Sequence, residues 1–94
     1  MSDHLRLTIL KQDLELLHDA KDDYLQNLLR MAEGFIVTEG IKIADNPEID
    51  SLVSLYAAYL YRRRAGQDTS MPRFLRFALN NEVFKQKGRS GDDS

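Results

Sequence analysis

The spacing of apolar residues along the chain predicts helices throughout. Leu10, Leu14 and Leu17 recur at intervals of four and three, which predicts a helix over residues 9–17 with Thr8 as its N-cap. Apolar residues at helical spacing predict a longer second helix over residues 20–39; they are Leu25, Leu28, Leu29, Ala32, Phe35 and Ile36.

Polar residues and glycines mark the predicted ends of the second helix. Asp19 is a suitable N-cap, and Asp22 and Asp23 follow in the first turn, where the helix dipole favours negative charge. Gly40 is well placed as the residue that follows the last turn. Residues 40–47 are then predicted to form a short connector.

A third helix is predicted to begin at Asn46-Pro47, run to about Ala65 and end at Gly66. Asparagine is a preferred N-cap, and proline suits the first helical position because its missing N–H costs nothing there. The apolar residues of this helix cover much of its circumference, which predicts more than one packing neighbour and possible contact with a second subunit. They are Ile49, Leu52, Val53, Leu55, Tyr56, Ala57, Tyr59 and Leu60.

A fourth helix is predicted over residues 71–82, with Ser70 or Thr69 as its cap and Pro72 in its first turn. The polar composition of residues 85–94 predicts a flexible tail. The expected fold is therefore all-α, a bundle of about four helices in residues 1–84. Two long antiparallel helices form its centre, short helices flank them, and residues 85–94 form the C-terminal tail.

The bulk composition narrows the classes of protein to consider. The 94 residues suffice for one domain and contain no cysteine, which excludes disulfides and thiolate metal sites. We expect no signal peptide, because Met1-Ser2-Asp3-His4 carries neither a basic n-region nor an apolar h-region. We expect no membrane contact, because the longest apolar run, Leu55–Tyr61, is far shorter than a membrane span.

Charge is distributed unevenly along the chain. Residues 1–50 carry eleven acidic and five basic residues, whereas residues 51–94 carry four acidic and eight basic residues. Unlike halves of this kind favour unlike partners or head-to-tail contact between copies. The alternative interpretation is that these are ordinary solvated helix faces.

The sequence contains no motif typical of catalysis, metal binding or phosphate binding. The two histidines, His4 and His18, have no metal-ligand spacing, no nucleophile has an evident base partner, and no glycine-rich phosphate loop is present. We therefore expect no enzymatic activity, no cofactor and no metal.

Basic residues cluster at the end of the third helix, as Arg62, Arg63 and Arg64, and continue on the fourth as Arg73 and Arg76. Cations at a helix C-terminus complement its dipole, so a structural role is one interpretation. Another is an ion-pairing surface for an acidic neighbour, such as the N-terminal half of another copy. A third is nucleic-acid binding, although the sequence pI of about 5.6 argues against a dedicated binder.

Aromatic residues on and after the fourth helix offer further candidates. Phe74 is expected in the core, on one face with Leu75 and Leu79. Phe77 lies off that face and Phe84 follows it, so both are candidate interface anchors, because aromatic side chains supply much of the binding energy at interface centres.

Two stretches together resemble the small head–tail connector (adaptor) family of long-tailed phages. The first is Leu7-Thr8-Ile9-Leu10-Lys11-Gln12-Asp13-Leu14, followed by an acidic break and a Leu/Ala-rich helix through residues 28–33. The second spans residues 49–79, from a Leu/Ala/Tyr helix with an arginine-rich end to Met71-Pro72-Arg73-Phe74-Leu75 after a polar loop. The order of these elements carries the resemblance over most of residues 7–80.

The resemblance implies a structural subunit of a homo-oligomeric ring under the portal at the head–tail junction of the virion, assembled in the bacterial cytoplasm. Such a ring extends the DNA channel and joins capsid to tail. Its implied partners are its own copies, the portal protein, a downstream head-completion or tail protein, and passing DNA in transient contact. The region from Phe84 onward is implied to engage the portal.

Acidic residues are candidates for the lining of such a channel, because negative charge avoids tight binding of DNA. Asp19, Asp22 and Asp23 are those candidates, with a solvated helix start as the alternative. Two other functions stay open, a small helical DNA-binding regulator that uses the arginines and an acidic helical chaperone.

Overall fold

The computed structural model describes residues 2–66 and 70–93, with side chains for residues 4–66 and 70–88. The described residues contain four helices and no strand, which confirms the all-α prediction. The helices are α1 (Ser2–Leu14), α2 (Asp22–Thr38), α3 (Pro47–Arg64) and α4 (Arg73–Asp93).

Helix α1 begins several residues before its predicted start. Thr8 lies inside the helix, where its hydroxyl donates to the carbonyl of His4 over 3.0 Å, so the prediction of an N-cap at Thr8 was wrong. Tertiary packing explains the longer helix, because Arg6 and Leu10 are one turn apart and both are buried against the other helices.

The end of α1 also differs from the prediction. Glu15 adopts a left-handed φ of 59°, and the N–H groups of Glu15 and Leu16 donate to the carbonyls of Gln12 and Lys11. This hydrogen-bond pattern is a Schellman cap, which ends the helix at Leu14. Leu17 therefore leaves the predicted apolar stripe and is 95% exposed.

Helix α2 begins two residues later than predicted. Its N-cap residue is Lys21, which makes no side-chain cap, so the prediction that Asp19 caps the helix was wrong. The end agrees with the prediction. Gly40 has a φ of 97°, and Gly40 and Ile41 donate to the carbonyls of Val37 and Ile36 in a second Schellman cap.

Helix α3 follows its sequence signals closely. The side-chain oxygen of Asn46 accepts from the N–H of Ile49 over 2.9 Å, and Pro47 occupies the first turn, as predicted. The last turn ends at Arg64, and Gly66 has a φ of 78°. Both ends of this helix were therefore predicted from local sequence.

Helix α4 starts two residues late. Pro72 precedes it, and its carbonyl accepts from the N–H groups of Leu75 and Arg76. Pro72 is thus an N-cap rather than a residue of the first turn. Ser70, one of the two predicted caps, lies before this position, and Thr69 falls outside the described residues.

The predicted end of α4 at residue 82 was also wrong, because the helix continues to Asp93 and is 21 residues long. The side-chain amide of Gln86 makes two hydrogen bonds to the backbone of Lys42 in the connector. It accepts from the Lys42 N–H at 2.8 Å and donates to the Lys42 carbonyl at 3.1 Å. Lys85 pairs with Glu48 at 3.1 Å. Polar contacts such as these leave no apolar periodicity in the sequence. The flexibility predicted for residues 85–94 stays a prediction.

Helix α3 is the centre of the bundle, because α1, α2 and α4 all contact it. Its five consecutive residues 56–60 are all buried, which confirms the prediction of several neighbours. The apolar core draws on all four helices and the connector; among its most buried members are Leu10, Leu25, Leu28, Ile36, Ile41, Ile49, Val53, Leu75 and Leu79.

Contacts between side chains show how α2 lies on α3. Tyr24, near the start of α2, contacts Tyr61 at the end of α3, with ring centroids 6.1 Å apart. Phe35, near the end of α2, stacks on Tyr56 in the middle of α3, with ring centroids 5.7 Å apart and an interplanar angle of 10°. These pairs bring the first turn of one helix beside the last turns of the other.

Candidate assembly surface

The outer face of α4 carries three exposed phenylalanines. Phe74, Phe77 and Phe84 are 58%, 60% and 81% exposed, whereas Leu75 and Leu79 on the inner face are fully buried. The three rings recur at intervals of three and seven residues, so they lie on one side of the helix over about 15 Å. Phe77 and Phe84 were predicted to be available for contact. Phe74 was predicted in the core, and that prediction was wrong.

Leaving these three phenylalanine rings in water costs free energy, which makes the outer face of α4 unusual. Exposing a phenylalanine that could be buried forgoes about 1.5–3 kcal/mol per side chain. Single exposed apolar residues are normal, but several on one helix face mark an interaction site more often. We define Phe74, Phe77 and Phe84 as the aromatic face of α4.

The five candidate arginines have different environments. Arg62 donates to the Asp13 carboxylate at 3.2 Å, and Arg76 pairs with Glu39 at 3.1 Å. Both are therefore engaged in tying helices of the same chain together. The structure does not bring the five arginines together as one ion-pairing patch.

The remaining arginines are exposed. Arg64 lies over the ring of Tyr24 at 5.5 Å, a cation–π contact that joins α3 to α2. Arg63 and Arg73 make no ion pair with any other described residue. Arg73 precedes Phe77 by one turn, so a free positive charge stands at the start of the aromatic face.

The acidic candidates surround the turn between α1 and α2. The ammonium of Lys11 lies 2.8 Å from Asp19 and 2.9 Å from Asp22, while Asp23 is exposed. The hydrogen bonds that the Lys11 ammonium donates to Asp19 and then to Asp22 raise the pKa of Lys11, and the hydrogen bond that Asp19 accepts from Lys11 lowers the pKa of Asp19. Two of the three predicted carboxylates are thus partly neutralised by one lysine.

A buried ionic cluster was missed by the sequence analysis. Arg6 donates through Nε to Asp50 at 2.8 Å, pairs with Glu33, and reaches the carbonyl of Ala44 at 3.4 Å. Ser54 donates to the carbonyl of Arg6 at 3.1 Å. The signal available in the sequence was the spacing of Arg6, one turn before Leu10 on the same stripe. This cluster joins three helices and faces the interior.

An apolar groove lies between the start of α3 and α4. Its volume is about 490 Å³, and its floor includes Leu52, Leu55 and Ala78. Glu48 and Glu82 at its rim are hydrogen-bonded to Lys85 and Gln86 of α4. The groove is thus a second apolar surface, bordered by carboxylates that already have partners in the same chain.

Two classes of site have no support in the described residues. Among the described side chains, no three His, Cys, Asp or Glu residues come together in a way that could hold a metal ion. None of the helices in the described ranges is long and apolar enough to cross a membrane.

Comparison with family models, with curated proteins and with solved structures gave no match. The resemblance to phage connectors therefore stays an expectation from the residues quoted above.

Proposed function

We propose that this chain is a structural head–tail connector (adaptor) of a tailed phage, which assembles into a homo-oligomeric ring at the head–tail junction of the virion. The observation that carries this proposal is the aromatic face of α4, three exposed rings on the side of the helix opposite its buried leucines. A small helical domain with a well-buried central helix and an exposed aromatic face is suited to binding other proteins.

A closed ring requires two different complementary surfaces on each subunit, because each copy contacts one neighbour through each surface. The aromatic face is one such surface. The acidic N-terminal half, with eleven acidic against five basic residues, supplies charge opposite to that of α4. A subunit with a fixed shape suits a closed ring. We propose that α2 and α3 form a central antiparallel pair that gives the subunit this shape, supported by the contacts of Tyr24 with Tyr61 and of Phe35 with Tyr56.

The proposed partners are other copies of this chain, the portal protein and a downstream head-completion or tail protein. DNA passes through the ring with only transient contact. The turn before α2 is proposed to face the channel, because Asp19, Asp22 and Asp23 keep a net negative charge there even after pairing with Lys11. In the free subunit, residues beyond the contacts of Lys85 and Gln86 are proposed to be flexible until they meet a partner such as the portal. No catalytic step is part of this role.

A DNA-binding regulator fits the geometry less well. Binding to duplex phosphates requires several cations that are free to release counterions. Arg62 and Arg76 are engaged with Asp13 and Glu39 of the same chain, and Arg64 lies on an aromatic ring. The described structure therefore leaves few arginines of that set free for phosphates.

The test is to image the purified protein by electron microscopy and to measure its mass by light scattering over a range of concentrations, alone and with portal protein. We expect annular particles or a concentration-dependent high oligomer. The variant Phe77→Ser with Phe84→Ser is expected to abolish assembly and to keep its helical content, because both rings lie outside the core.

The matched control is Leu17→Ser, which removes an apolar side chain that is 95% exposed in the segment after α1. It is expected to assemble like the parent chain. A parent chain that stays monomeric at every concentration, with and without portal, overturns the proposal.

A further inference from the structure

The inner face of α4 changes character along its length. Leu75, Leu79, Glu82 and Gln86 follow one another at intervals of four, three and four residues, which is the spacing of one helical stripe. The two leucines are fully buried and Glu82 is 8% exposed, whereas Gln86 is half-buried. After the half-buried Val83, α4 is therefore joined to the rest of the subunit through polar side chains.

Two polar contacts hold this part of α4 in place. The side-chain amide of Gln86 accepts from the Lys42 N–H at 2.8 Å and donates to the Lys42 carbonyl at 3.1 Å. The ammonium of Lys85 lies 3.1 Å from the carboxylate of Glu48. Adjacent residues of α4 are thus fastened to two separate places, the connector and the first turn of α3. We define the contacts of Lys85 and Gln86 with Glu48 and Lys42 as the clasp.

Local sequence does not favour a helix after the clasp. Glycine is among the least favourable residues inside a helix, and Gly88 and Gly91 both lie in the part of α4 that follows Gln86. No apolar side chain occurs between Phe84 and the end of α4 at Asp93, so this part has no apolar stripe to bury. Among the described contacts, the clasp is therefore what keeps the end of α4 on the subunit.

Phe84 immediately precedes the clasp in the chain. Its ring is 81% exposed, so contacts of the ring with its own subunit contribute little to its position. The helical backbone between Val83 and Gln86 positions it instead, on one side of α4 together with Phe74 and Phe77. Helices fray at their ends, so opening of the clasp places Phe84 at a frayed end and takes it off that line.

We infer that the clasp positions Phe84 on the aromatic face, so that the assembly surface is complete only while the clasp is closed. This inference rests on the proposed ring assembly and describes how the surface for that assembly is regulated. With the clasp open, Phe74 and Phe77 stay on the half of α4 that Leu75 and Leu79 anchor, and the third ring is lost. The affinity for a partner then falls with the fraction of subunits whose clasp is closed.

The clasp is removed in the full-length double variant Lys85→Ala with Gln86→Ala. Alanine has the highest helix propensity, so a loss of assembly arises from the missing contacts and not from a weaker helix. Light scattering over a range of concentrations measures the concentration at half-assembly. It is expected to rise about tenfold, as when the competent fraction of subunits falls to about a tenth.

Lys87→Ala is the matched control. It removes one positive charge, as the clasp variant does, from an exposed residue next to the clasp that makes no ion pair with any other described residue. It is expected to assemble like the parent chain. A loss in Lys87→Ala equal to that in the clasp variant overturns the inference, because charge alone would then account for the effect.

A double-mutant cycle shows whether the clasp acts through Phe84. In a Phe84→Ser background, removal of the clasp is expected to cause no further loss of assembly, because the ring that the clasp positions is already absent. In a Phe74→Ser background, removal of the clasp is expected to keep its full effect, because that ring lies on the half of α4 anchored by leucines. Equal losses in the two backgrounds overturn the inference.

The parent chain separates this inference from the proposed function. A parent that assembles as a ring, together with a clasp variant that assembles equally well, leaves the ring standing and removes the role of the clasp. A parent that stays monomeric at every concentration, with and without portal, removes both.

Discussion

The Nε of Arg6 and the Oδ1 of Asp50 are 2.8 Å apart, and each side chain is only 5% exposed. The two residues are 44 positions apart in the chain and join α1 to α3. Glu33 of α2 pairs with the same guanidinium. Removing one member of a buried ion pair leaves the other charge without compensation, and this is costlier than replacing both.

Substitution of Arg6→Met is therefore expected to lower the free energy of unfolding by about 3–5 kcal/mol. The double variant Arg6→Met with Asp50→Leu is expected to recover much of that loss, because it removes both buried charges. Urea denaturation followed by circular dichroism measures both changes. A single variant within about 1 kcal/mol of the parent, on the scale of one ordinary hydrogen bond, contradicts the role assigned to the pair.

Glu15 has a left-handed backbone where most such caps have glycine. A non-glycine residue in that conformation costs about 1–2 kcal/mol. Glycine avoids this cost, but its greater conformational entropy in the unfolded chain offsets part of the gain. Glu15→Gly is expected to stabilise the fold by about 0.5–1 kcal/mol. Thermal unfolding measures this gain, and Glu15→Ala, which keeps the Cβ, is the control that should not show it.

Gly34 is the reverse of Glu15, because it is a glycine in a helical conformation with open space where a side chain would lie. Gly34→Ala is expected to stabilise the isolated subunit by about 0.5–1 kcal/mol, because alanine has the higher helix propensity. Denaturation at low protein concentration, where subunits are separate, measures this effect. A loss of stability in the monomer would mean that the glycine has a role within its own subunit.

Gln86 fastens the second half of α4 to the connector through both atoms of its amide. Gln86→Ala is expected to cost about 1 kcal/mol of local stability, the value of ordinary hydrogen bonds at a solvated site. Hydrogen exchange of amides in residues 85–88 should become faster, while exchange around Leu75 stays as in the parent. Unchanged exchange in residues 85–88 would show that other contacts hold this part of the helix.

Sequence predicted those features of the fold that are set by neighbouring residues. The start of α3 at Asn46-Pro47 and the glycine at the end of α2 depend on local hydrogen bonds, and both were confirmed. Some of the features that were wrong, such as the end of α4, depend on distant residues. Periodicity of apolar residues carries no sign of the bond between Gln86 and Lys42, so the length of α4 was underestimated.

The candidate surface was predicted only in part, for a similar reason. Phe77 is exposed, as its position off the apolar face of the predicted helix indicated, and Phe84, which was predicted to lie in the tail, is an exposed residue of α4. Phe74 sits at the edge of the apolar face of α4, and whether an edge residue is covered depends on what lies opposite it. The pairing of Arg62 with Asp13 and of Arg76 with Glu39 joins segments far apart in sequence, so the engagement of these two arginines could not be read from their positions.

The buried cluster around Arg6 also fixes the register of α1. A slide of α1 by one turn along α3 would bring Leu10 or Ser2 to the place of Arg6, and neither carries a cation. The carboxylate of Asp50 would then be buried alone, at a cost that rules the slipped arrangement out. An ordinary leucine seam tolerates such slippage, because one apolar side chain replaces another. This helix is therefore locked at a single axial position, and the turn that carries Lys11 and its carboxylates is set at a fixed height on the subunit.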